Sequence, residues 1–461
     1  MTRIIGRYVP VEMAIFGLLE LLLSFLVIYT MLAARGVLGP GELPPIVAAW
    51  RVVNHAALLA VTIGVCAVAI GLYRPEIFFD RRRLLLNAAV AAVLAFPAAL
   101  IVSGHFSDGL SRTYAIWLVK VLAIWLAVAV LSRSIFSVTL HQKLFVRRVL
   151  VLGRGASAGR TAEAIRSGRG NLFELAGVNI GSADSARMTA DLLRERGIWG
   201  VVVASDTVNG NDPTDDALRQ RLIDLRLRGL RVHDDSAFWE QHLGRVNLDR
   251  IDAGWFLSAE GFGNSALSRA IKRTIDVAAS LLLLALTLPL MMGVGLLIKL
   301  DSRGSVLYRQ QRVGRFGENF TLLKFRSMRV DAEPEGAPRW AAKRDSRITR
   351  VGALIRSTRI DELPQLLNVL HGEMSLIGPR PERPHFVAQL SQVIPFYNER
   401  NYVKPGITGW AQVNFPYGAS VEDAREKLSY DLYYVKNRST FLDLLILVAT
   451  VRVILFREGA R

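Results

Sequence analysis

Four long apolar stretches near the start of the sequence constrain this chain more than any other feature. Each runs for about 18–24 residues, the length at which an α-helix crosses a hydrocarbon core about 30 Å thick. They cover residues 11–34, 55–73, 84–103 and 114–135. The pattern predicts a membrane protein whose first domain, residues 1–140, is a four-helix transmembrane bundle.

Cations beside these stretches predict the topology. Arg3 and Arg7 precede the first stretch, three arginines at 81–83 lie between the second and third, and Arg147 and Arg148 follow the fourth. Loops rich in Lys and Arg stay in the cytoplasm. The N-terminus and everything after residue 135 are therefore expected on the cytoplasmic side.

The formal net charge of +17 indicates anionic partners. Anionic lipid, phosphorylated substrates and nucleic acid would all suit such a charge. The sequence contains no basic module with interleaved aromatic residues, and several cations flank apolar stretches. We therefore expect the lipid bilayer as a partner and no nucleic acid. The single cysteine, Cys66, excludes an intramolecular disulfide and a Cys-x-x-Cys metal site.

One acidic residue interrupts the first apolar stretch. Glu20 lies midway along it, where a charged group is costly without a partner. Lys120 in the fourth stretch is the candidate partner. A structural pair or a protonated acid would explain Glu20, and we assign it no catalytic role.

Residues 146–258 are predicted to form a cytoplasmic Rossmann-like α/β domain. An apolar run at 148–153 leads into a glycine-containing turn at 153–159 and a helical segment at 160–167, the strand–turn–helix context of a phosphate loop. The second strand runs into VNIGSAD without the acidic residue expected for a ribose, and no tyrosine has a lysine four residues later. Nucleotide binding stays open, and a regulatory or scaffolding domain is the favoured interpretation.

A fifth apolar run, residues 277–298, differs from the first four. Pro289 at its centre is expected to break or kink a helix, and cations flank both ends, with Lys272 and Arg273 before it and Lys299 after it. A spanning helix would export everything downstream. We therefore predict a re-entrant helix over about 272–300, which enters and leaves at the cytoplasmic face.

A basic hairpin is predicted next. Residues 305–328 contain two strand-like runs around a Gly-Arg-Phe-Gly-Glu-Asn turn. The second run ends in Lys324 and Arg326, which are two residues apart and so share one face of a strand. A solvated basic edge and a phosphate-binding face both fit this pattern.

An acid pair follows among arginines. Asp361 and Glu362 are predicted to open a short helix with Pro364 in its first turn and Gly372 just past its end. Helix N-termini favour negative charge, so an ordinary acidic cap would explain the pair. The alternative is a nucleophile beside a metal-binding carboxylate.

Three motifs together resemble the bacterial sugar transferase family. They are KFRSM at 324–328, RIDELPQLLNVLHGEMSLIGPRPE at 359–382 and YVKPGITGWAQV at 402–413. This family, the monotopic phosphoglycosyl transferases, is also known as the polyprenyl-phosphate hexose-1-phosphate transferases. The resemblance covers roughly residues 269–456, and the segments before it are similar to the large-chain subtype that initiates exopolysaccharide synthesis.

The resemblance implies an activity and a site. The family transfers a sugar-1-phosphate from a UDP-sugar to undecaprenyl phosphate and releases UMP, with Mg²⁺ and a covalent phosphosugar–aspartate intermediate. At the matching positions, Asp361 is the expected nucleophile and Glu362 the expected metal ligand. Phosphate contacts are expected from Lys324, Arg326, Arg356, Arg380 and Lys404. We also expect helix-end amides and nearby cations to keep Asp361 ionised.

The predicted fold class is a membrane protein with a four-helix transmembrane bundle, a cytoplasmic Rossmann-like α/β domain, and an α+β catalytic domain (264–461) anchored by a re-entrant membrane helix. The implied location is the bacterial inner membrane, multi-pass, with the active site on the cytoplasmic face. Two alternatives stay open: a membrane-bound nucleotide-sugar dehydratase or epimerase, and a non-catalytic scaffold for polysaccharide assembly. The sugar and a homodimeric state also stay open.

Overall fold

The chain divides into two units, Met1–His242 and Leu243–Arg461, in a computed structural model. The structure describes residues 2–4, 7–9, 11–34, 45–70, 72, 81–104, 112–141, 146–153, 155–167, 173–179, 189–204, 213–251, 253–258, 265–329, 347–415 and 420–456.

Four apolar helices follow a short antiparallel hairpin in the first unit. The hairpin pairs β1 (Thr2–Ile4) with β2 (Arg7–Val9). The helices are α1 (Val11–Ala34), α2 (Pro45–Ala69), α3 (Arg81–Ser103) and α4 (Arg112–His141). Each contains a stretch long and apolar enough to cross a membrane, which confirms the four predicted helices. α1 packs on α2, α2 on α3, α3 on α4, and α4 on α1.

Glu20 binds Arg133 of α4, so the predicted partner Lys120 is wrong. Both side chains are buried, and they form a two-pronged ion pair in which Nη2 of Arg133 lies 2.6 Å from Oε2 of Glu20. The guanidinium also donates to the carbonyl oxygens of Leu72, at 3.3 Å, and Ala129, at 3.2 Å. A buried charge needs such complete pairing. The pair therefore ties α1 and α4 to each other and to Leu72, which follows α2.

A four-stranded parallel sheet with flanking helices forms the rest of the first unit. The strand order is β4-β3-β5-β6. The strands are β3 (Arg147–Leu152), β4 (Phe173–Asn179), β5 (Ile198–Val203) and β6 (Arg231–Asp234), and the helices are α5 (Ala156–Ser167), α6 (Ala190–Glu195), α7 (Pro213–Leu227) and α8 (Asp235–Phe238). The predicted strand–turn–helix at the start of this region is confirmed by β3 and α5.

The chain itself fills the space beside the first turn of α5. Ser157 in that turn donates to Oδ2 of Asp235 at 2.6 Å, and Asp235 is fully buried at the start of α8, directly after β6. Trp239, which follows α8, donates through its indole N–H to Thr161 of α5 at 3.1 Å. A buried carboxylate therefore lies where this fold would hold an anionic ligand.

The segment after His242 packs in the second unit, upstream of the predicted domain end at 258. Val246 and Ile251 are buried in the core of the second unit. The carbonyl of Gly244 accepts from the indole of Trp410 at 2.7 Å, and the amide of Val246 donates to Ser429 at 3.1 Å. Residues 243–258 therefore support the fold of the second unit.

The second unit is an α+β domain built around one long helix and an antiparallel hairpin. Its helices are α9 (Ala253–Ser258), α10 (Ala266–Asp301), α11 (Arg350–Ser357), α12 (Gln365–His371), α13 (Pro384–Val393), α14 (Trp410–Asn414), α15 (Val421–Lys436) and α16 (Thr440–Phe456). Its strands are β7 (Leu307–Val313), β8 (Asn319–Phe325), β9 (Ser375–Ile377) and β10 (Gly406–Thr408). β7 and β8 form the predicted hairpin, and β9 pairs with β10 in parallel.

α10 is the fifth helix long and apolar enough to cross a membrane. It contains 36 residues and continues through Pro289, so the chain stays helical there and a kink at Pro289 stays a prediction. Near its start, Arg273 donates to the carbonyls of Val369, at 2.6 Å, and Leu370, at 2.7 Å. At its end, Asp301 accepts from the amide of Val351 at 3.3 Å. Both ends therefore contact the same unit.

Candidate active site

The acid pair lies in a turn between two short helices. After α11, Arg359 adopts a left-handed conformation (φ 60°), and Ile360–Glu362 form a single 3-10 turn. α12 follows, with Pro364 at its N-cap and Gly372 (φ 88°) at its C-cap. The predicted helix and its two punctuating residues are confirmed. The acids precede the helix instead of opening it, and in the described part of the chain no side chain caps its N-terminus.

Asp361 is a buried carboxyl whose pKa is strongly perturbed. Its side chain is 8% exposed. Burial raises the pKa to about 6, and the charge of Glu362 adds to this effect, whereas Lys324, Arg356 and Arg380 oppose it. We expected amides and cations to keep Asp361 ionised; the cations act in that direction, but desolvation is the largest effect and raises the pKa. A pKa of about 6 still leaves the group mainly ionised at neutral pH.

The pKa of Glu362 shifts in the opposite direction to that of Asp361. Nη2 of Arg380 lies 2.9 Å and Nη1 of Arg359 lies 3.5 Å from the same oxygen, Oε1. Burial alone would raise the pKa of Glu362, but the charges of Arg380 and Arg359, the hydrogen bond from Arg380 and the charge of Lys324 hold it below its ordinary value. The two adjacent carboxyl groups therefore differ in acidity: the pKa of Asp361 is raised, and the pKa of Glu362 is lowered.

The hairpin supplies Lys324 and Arg312. Burial and the charges of Arg312, Arg380 and Arg356 lower the pKa of Lys324 to about 8, against the opposing effect of Asp361. Its ammonium lies 4.9 Å from the centre of the Tyr308 ring, on the paired strand.

Arg312 is fixed against the turn that carries Arg380. It donates to the carbonyl of Pro381 at 3.0 Å and to Gln310 at 2.7 Å. Arg312 was not among the site residues predicted from the sequence. Tyr308, Gln310 and Arg312 occupy every second position of β7 and so share one face of the strand, and this pattern in the sequence could have indicated Arg312.

The Pro-Arg-Pro turn is held by a buried ionic network that the sequence analysis also missed. Nη2 of Arg400 donates to the backbone carbonyl of Arg380 at 3.0 Å and binds Oδ2 of Asp431 at 2.7 Å. Nη1 of Arg400 donates to the Tyr397 hydroxyl at 3.0 Å. Arg400 and Asp431 are both buried. They fix the backbone from which Arg380 reaches Glu362.

Two glycines let β10 approach this turn. The amide of Gly378 donates to the carbonyl of Thr408, and the amide of Gly406 donates to that of Pro379, each at 2.9 Å. A Cβ atom on Gly378 or Gly406 would overlap backbone atoms of the other segment. Close backbone contact therefore explains the glycines of the GPRP and KPGITGW motifs.

The structure brings five of the seven predicted site residues together and separates two. Lys324, Arg356, Asp361, Glu362 and Arg380 act on one another electrostatically. Arg326 follows the end of β8 and donates to the carbonyls of Ser302 and Arg303 at the C-terminus of α10, each at 2.7 Å. Lys404 lies near Gly372 at the far end of α12. Phosphate binding by these two residues stays a prediction.

The described residues contain no group of three or more His, Cys, Asp or Glu side chains that could hold a metal ion. Mg²⁺ commonly needs only one or two protein carboxylates and takes its other ligands from water and substrate phosphates. Asp361 and Glu362 fit that limited role. In the described part of the chain both arginines bind Oε1 of Glu362, which leaves Oε2 for a cation.

Paired carboxylates and nearby cations are typical of a site that binds phosphate groups, and a long apolar helix is typical of a membrane-associated protein. Residues 267–457 match the family described as bacterial sugar transferase. The match starts in α10 and ends next to the last residue of α16, close to the limits predicted from the motifs. The chain belongs to this family.

Three relatives illustrate the similarity. The chain is 47% identical over 218 residues to the UDP-N-acetylgalactosamine-undecaprenyl-phosphate N-acetylgalactosaminephosphotransferase of Aeromonas hydrophila. This match covers 47% of this chain and 51% of that protein. It is 34% identical over 362 residues to the undecaprenyl-phosphate glucose phosphotransferase of Komagataeibacter xylinus, covering 75% of this chain and 66% of that protein. It is 42% identical over 186 residues to the exopolysaccharide production protein PSS of Rhizobium leguminosarum bv. phaseoli, covering 39% of this chain and 93% of that protein.

Proposed function

We propose that the chain transfers a sugar-1-phosphate from a UDP-sugar to undecaprenyl phosphate and releases UMP, as the first membrane step of exopolysaccharide synthesis. The observation that carries the proposal is the buried carboxyl of Asp361, which has a pKa of about 6 and lies among Lys324, Arg356 and Arg380. The names of the relatives, two of which act on undecaprenyl phosphate, support the choice of substrates.

Asp361 is the proposed nucleophile. Its carboxylate oxygen attacks the phosphorus that carries the sugar, the bond from this phosphorus to the bridging oxygen breaks, and UMP leaves with that oxygen and the bonding electrons. An oxygen of undecaprenyl phosphate then attacks the same phosphorus and frees the carboxylate. Desolvation makes an ionised carboxylate a better nucleophile, and a pKa of about 6 keeps it available at neutral pH.

The cations make attack on an anionic phosphate feasible. A carboxylate approaching a phosphate is repelled by the phosphate oxygens, so positive charge must neutralise them. Lys324 and Arg356 face Asp361, and Arg380 is held by Arg400 through its backbone. We assign these three cations to the substrate phosphates.

Glu362 is proposed to hold Mg²⁺ together with substrate phosphate oxygens. The bound cation would neutralise the diphosphate and stabilise the charge that builds up on the leaving UMP. The lowered pKa of Glu362 keeps this residue ionised and able to bind a cation over a wide pH range.

We place the site at the cytoplasmic face of the bacterial inner membrane, with α10 as a re-entrant helix. A spanning α10 would separate its ends by about 30 Å of hydrocarbon, whereas both ends bind the same unit through Arg273 and Asp301. Exposed leucines lie along its middle, where contact with lipid would bury them. Such a helix keeps the acid pair at the bilayer surface, where the phosphate of the lipid substrate lies.

Membrane topology can be tested with single cysteines. In a Cys66→Ser background, Ser265→Cys and Ser305→Cys lie just outside the two ends of α10, at exposed positions. A re-entrant helix predicts that a membrane-impermeant thiol reagent labels both from the cytoplasmic side. Labelling of the two cysteines from opposite sides would refute the re-entrant path.

The activity is tested by UMP release from the purified full chain supplied with UDP-sugars and undecaprenyl phosphate. Asp361→Asn should abolish release, whereas Arg309→Gln, an exposed change on the outer face of the hairpin, should leave it intact. With UDP-sugar alone, a radiolabelled sugar phosphate should stay attached to the native chain and not to Asp361→Asn. Turnover by Asp361→Asn would refute the nucleophile assignment.

The sugar stays open because the relatives differ in it: one is named for N-acetylgalactosamine and another for glucose. A screen of UMP release across UDP-glucose, UDP-galactose and their N-acetylated forms identifies it. Release from none of these donors would favour the non-catalytic scaffold.

A further inference from the structure

A second group of cations lies at the opposite end of α12 from the acid pair. A Cβ atom on Gly372 would lie 3.6 Å from Nζ of Lys404 and 3.7 Å from Nη2 of Arg273, so these two groups meet over the C-terminus of the helix. The seven residues of α12 correspond to roughly 10 Å of helix between this point and the acid pair. Lys404 and Arg273 therefore lie outside the candidate active site.

Three more arginines share the electrostatic field of this group. Nε of Arg315, at the hairpin tip, donates to the carbonyl of Tyr402 at 3.2 Å, two residues before Lys404. Burial lowers the pKa of Lys404, and the charges of Arg273 and Arg315 lower it further. Burial also lowers the pKa of Arg438; Tyr434 and Asp443 oppose this effect, and the charges of Arg315 and Arg269 add to it. We define the basic cluster as Arg269, Arg273, Arg315, Lys404 and Arg438.

Two nearby carboxylates, Asp443 and Asp276, offset only part of the charge of the basic cluster. Asp443 accepts from Lys272 at 2.7 Å and from the Tyr434 hydroxyl at 2.8 Å. Asp276 accepts from the amide of Leu376 at 3.2 Å. Among the described residues, the five cations and Lys272 meet only these two carboxylates, so positive charge predominates at the start of α10, where an anion is favoured.

Exposed apolar side chains surround the basic cluster. Phe316 at the hairpin tip is 64% exposed, Tyr402 is 51% exposed, and their ring centres lie 6.0 Å apart. Phe316 has a φ of 57°, a costly conformation for a bulky residue, which the turn keeps while its ring points outward. Leu267 and Ile271, one turn apart on α10, are also exposed. Cations beside exposed aromatic and aliphatic side chains are typical of a surface that contacts lipid headgroups.

We propose that the basic cluster, together with Phe316 and Tyr402, binds the phosphate of an anionic phospholipid at the start of α10. The occupant is a bilayer lipid and not the lipid substrate, because a phosphate bound here lies beyond the reach of Asp361. This assigns Lys404, which we had predicted to contact a substrate phosphate, to a separate site. Lipid bound there would hold the hairpin tip and the start of α10 against the same leaflet.

Binding is tested on the full chain, purified in a neutral detergent and stripped of lipid, by native mass spectrometry with added phosphatidylglycerol or phosphatidylcholine. The loss of one cation that lies near an anionic lipid is expected to weaken the binding of that lipid about five-fold. Lys404→Gln with Arg315→Gln should therefore weaken phosphatidylglycerol binding about 25-fold. Binding of phosphatidylcholine, which carries no net charge, should be much weaker and unchanged.

The matched control is Arg309→Gln with Arg350→Gln, which removes the same charge from exposed positions elsewhere in the unit. This control and Lys404→Arg should both keep native phosphatidylglycerol affinity, and the Lys404→Arg result guards against a folding defect. Equal affinity of the native chain and the Lys404–Arg315 double variant would overturn the proposal. Complete displacement of the lipid by inorganic phosphate would overturn the assignment to a phospholipid. Lipid binding and its displacement by inorganic phosphate are both measured independently of the proposed transferase activity.

Discussion

Asp361→Asn is expected to inactivate the protein and at the same time to stabilise its fold. Burial raises the pKa of Asp361 from its ordinary value of 3.8 to about 6. This rise in pKa corresponds to about 3 kcal/mol, by which the folded state disfavours the charged carboxylate. The opposing cations are already included in that net shift. Asparagine has nearly the same shape and no charge, so it should avoid this cost.

The pH dependence follows from the sign of the shift. The unfolded chain loses the proton of Asp361 at a lower pH than the folded chain, so the stability contributed by this residue falls as pH rises through the window from about 4 to 6. The advantage of Asp361→Asn should therefore be full above about pH 6 and should vanish below about pH 4. For a unit of this size, about 3 kcal/mol corresponds to a rise in Tm of roughly 6–12 °C.

Glu362→Gln supplies the matched comparison, because its pKa shifts the other way. The ion pairs with Arg380 and Arg359 hold the pKa of Glu362 below its ordinary value, so its charge stabilises the fold and its loss should lower Tm at neutral pH. The assay is thermal unfolding of the full chain in detergent at several pH values, in parallel with UMP release. A lower Tm for both variants, or a gain for Asp361→Asn that does not change with pH, would refute the reasoning.

Further predictions concern the reaction and two buried ion pairs. The rate of UMP release should fall about tenfold per pH unit below about 6, where Asp361 is protonated, and fall again above about 8, where Lys324 loses its proton. Lys324→Arg should remove that alkaline fall, and an unchanged profile would contradict the role of Lys324. Arg400→Gln leaves Asp431 buried without its ion-pair partner, so it should destabilise the fold by about 3–5 kcal/mol; a near-native Tm would count against this. Glu20→Gln should cost a similar amount, about 3–5 kcal/mol, because it leaves a buried arginine, and unfolding of the full chain in detergent measures it.

Local patterns predicted the elements around the site because their causes are local. The turn residues between two strand-like runs predicted the hairpin formed by β7 and β8. Pro364 and Gly372 predicted the limits of α12 because each has a backbone preference that punctuates a helix. Positions of this kind depend on residues a few places away in the chain, which a sequence displays directly.

The errors share one cause, which is that burial and long-range partners are not visible in a sequence. Lys324 and Arg326 were placed on one strand face, but β8 ends at Phe325, so the alternation stops before Arg326. Arg400 acts on Arg380 from 20 residues away and is itself fixed by Asp431. The pKa of Asp361 depends chiefly on desolvation, which only the packed structure reveals.

The α/β domain shows how a motif can keep its geometry without keeping its ligand. In dinucleotide-binding sheets the pyrophosphate lies at the N-terminus of the helix after the first strand, where backbone amides attract negative charge. Here the buried carboxyl group of Asp235 lies beside this position and accepts from Ser157 in the first turn of α5. A diphosphate at this point would face a buried carboxylate, and the residues around Trp239 cover α5 beside it. The arrangement therefore disfavours the dehydratase or epimerase alternative, because a buried carboxyl group of the chain itself already binds the first turn of α5.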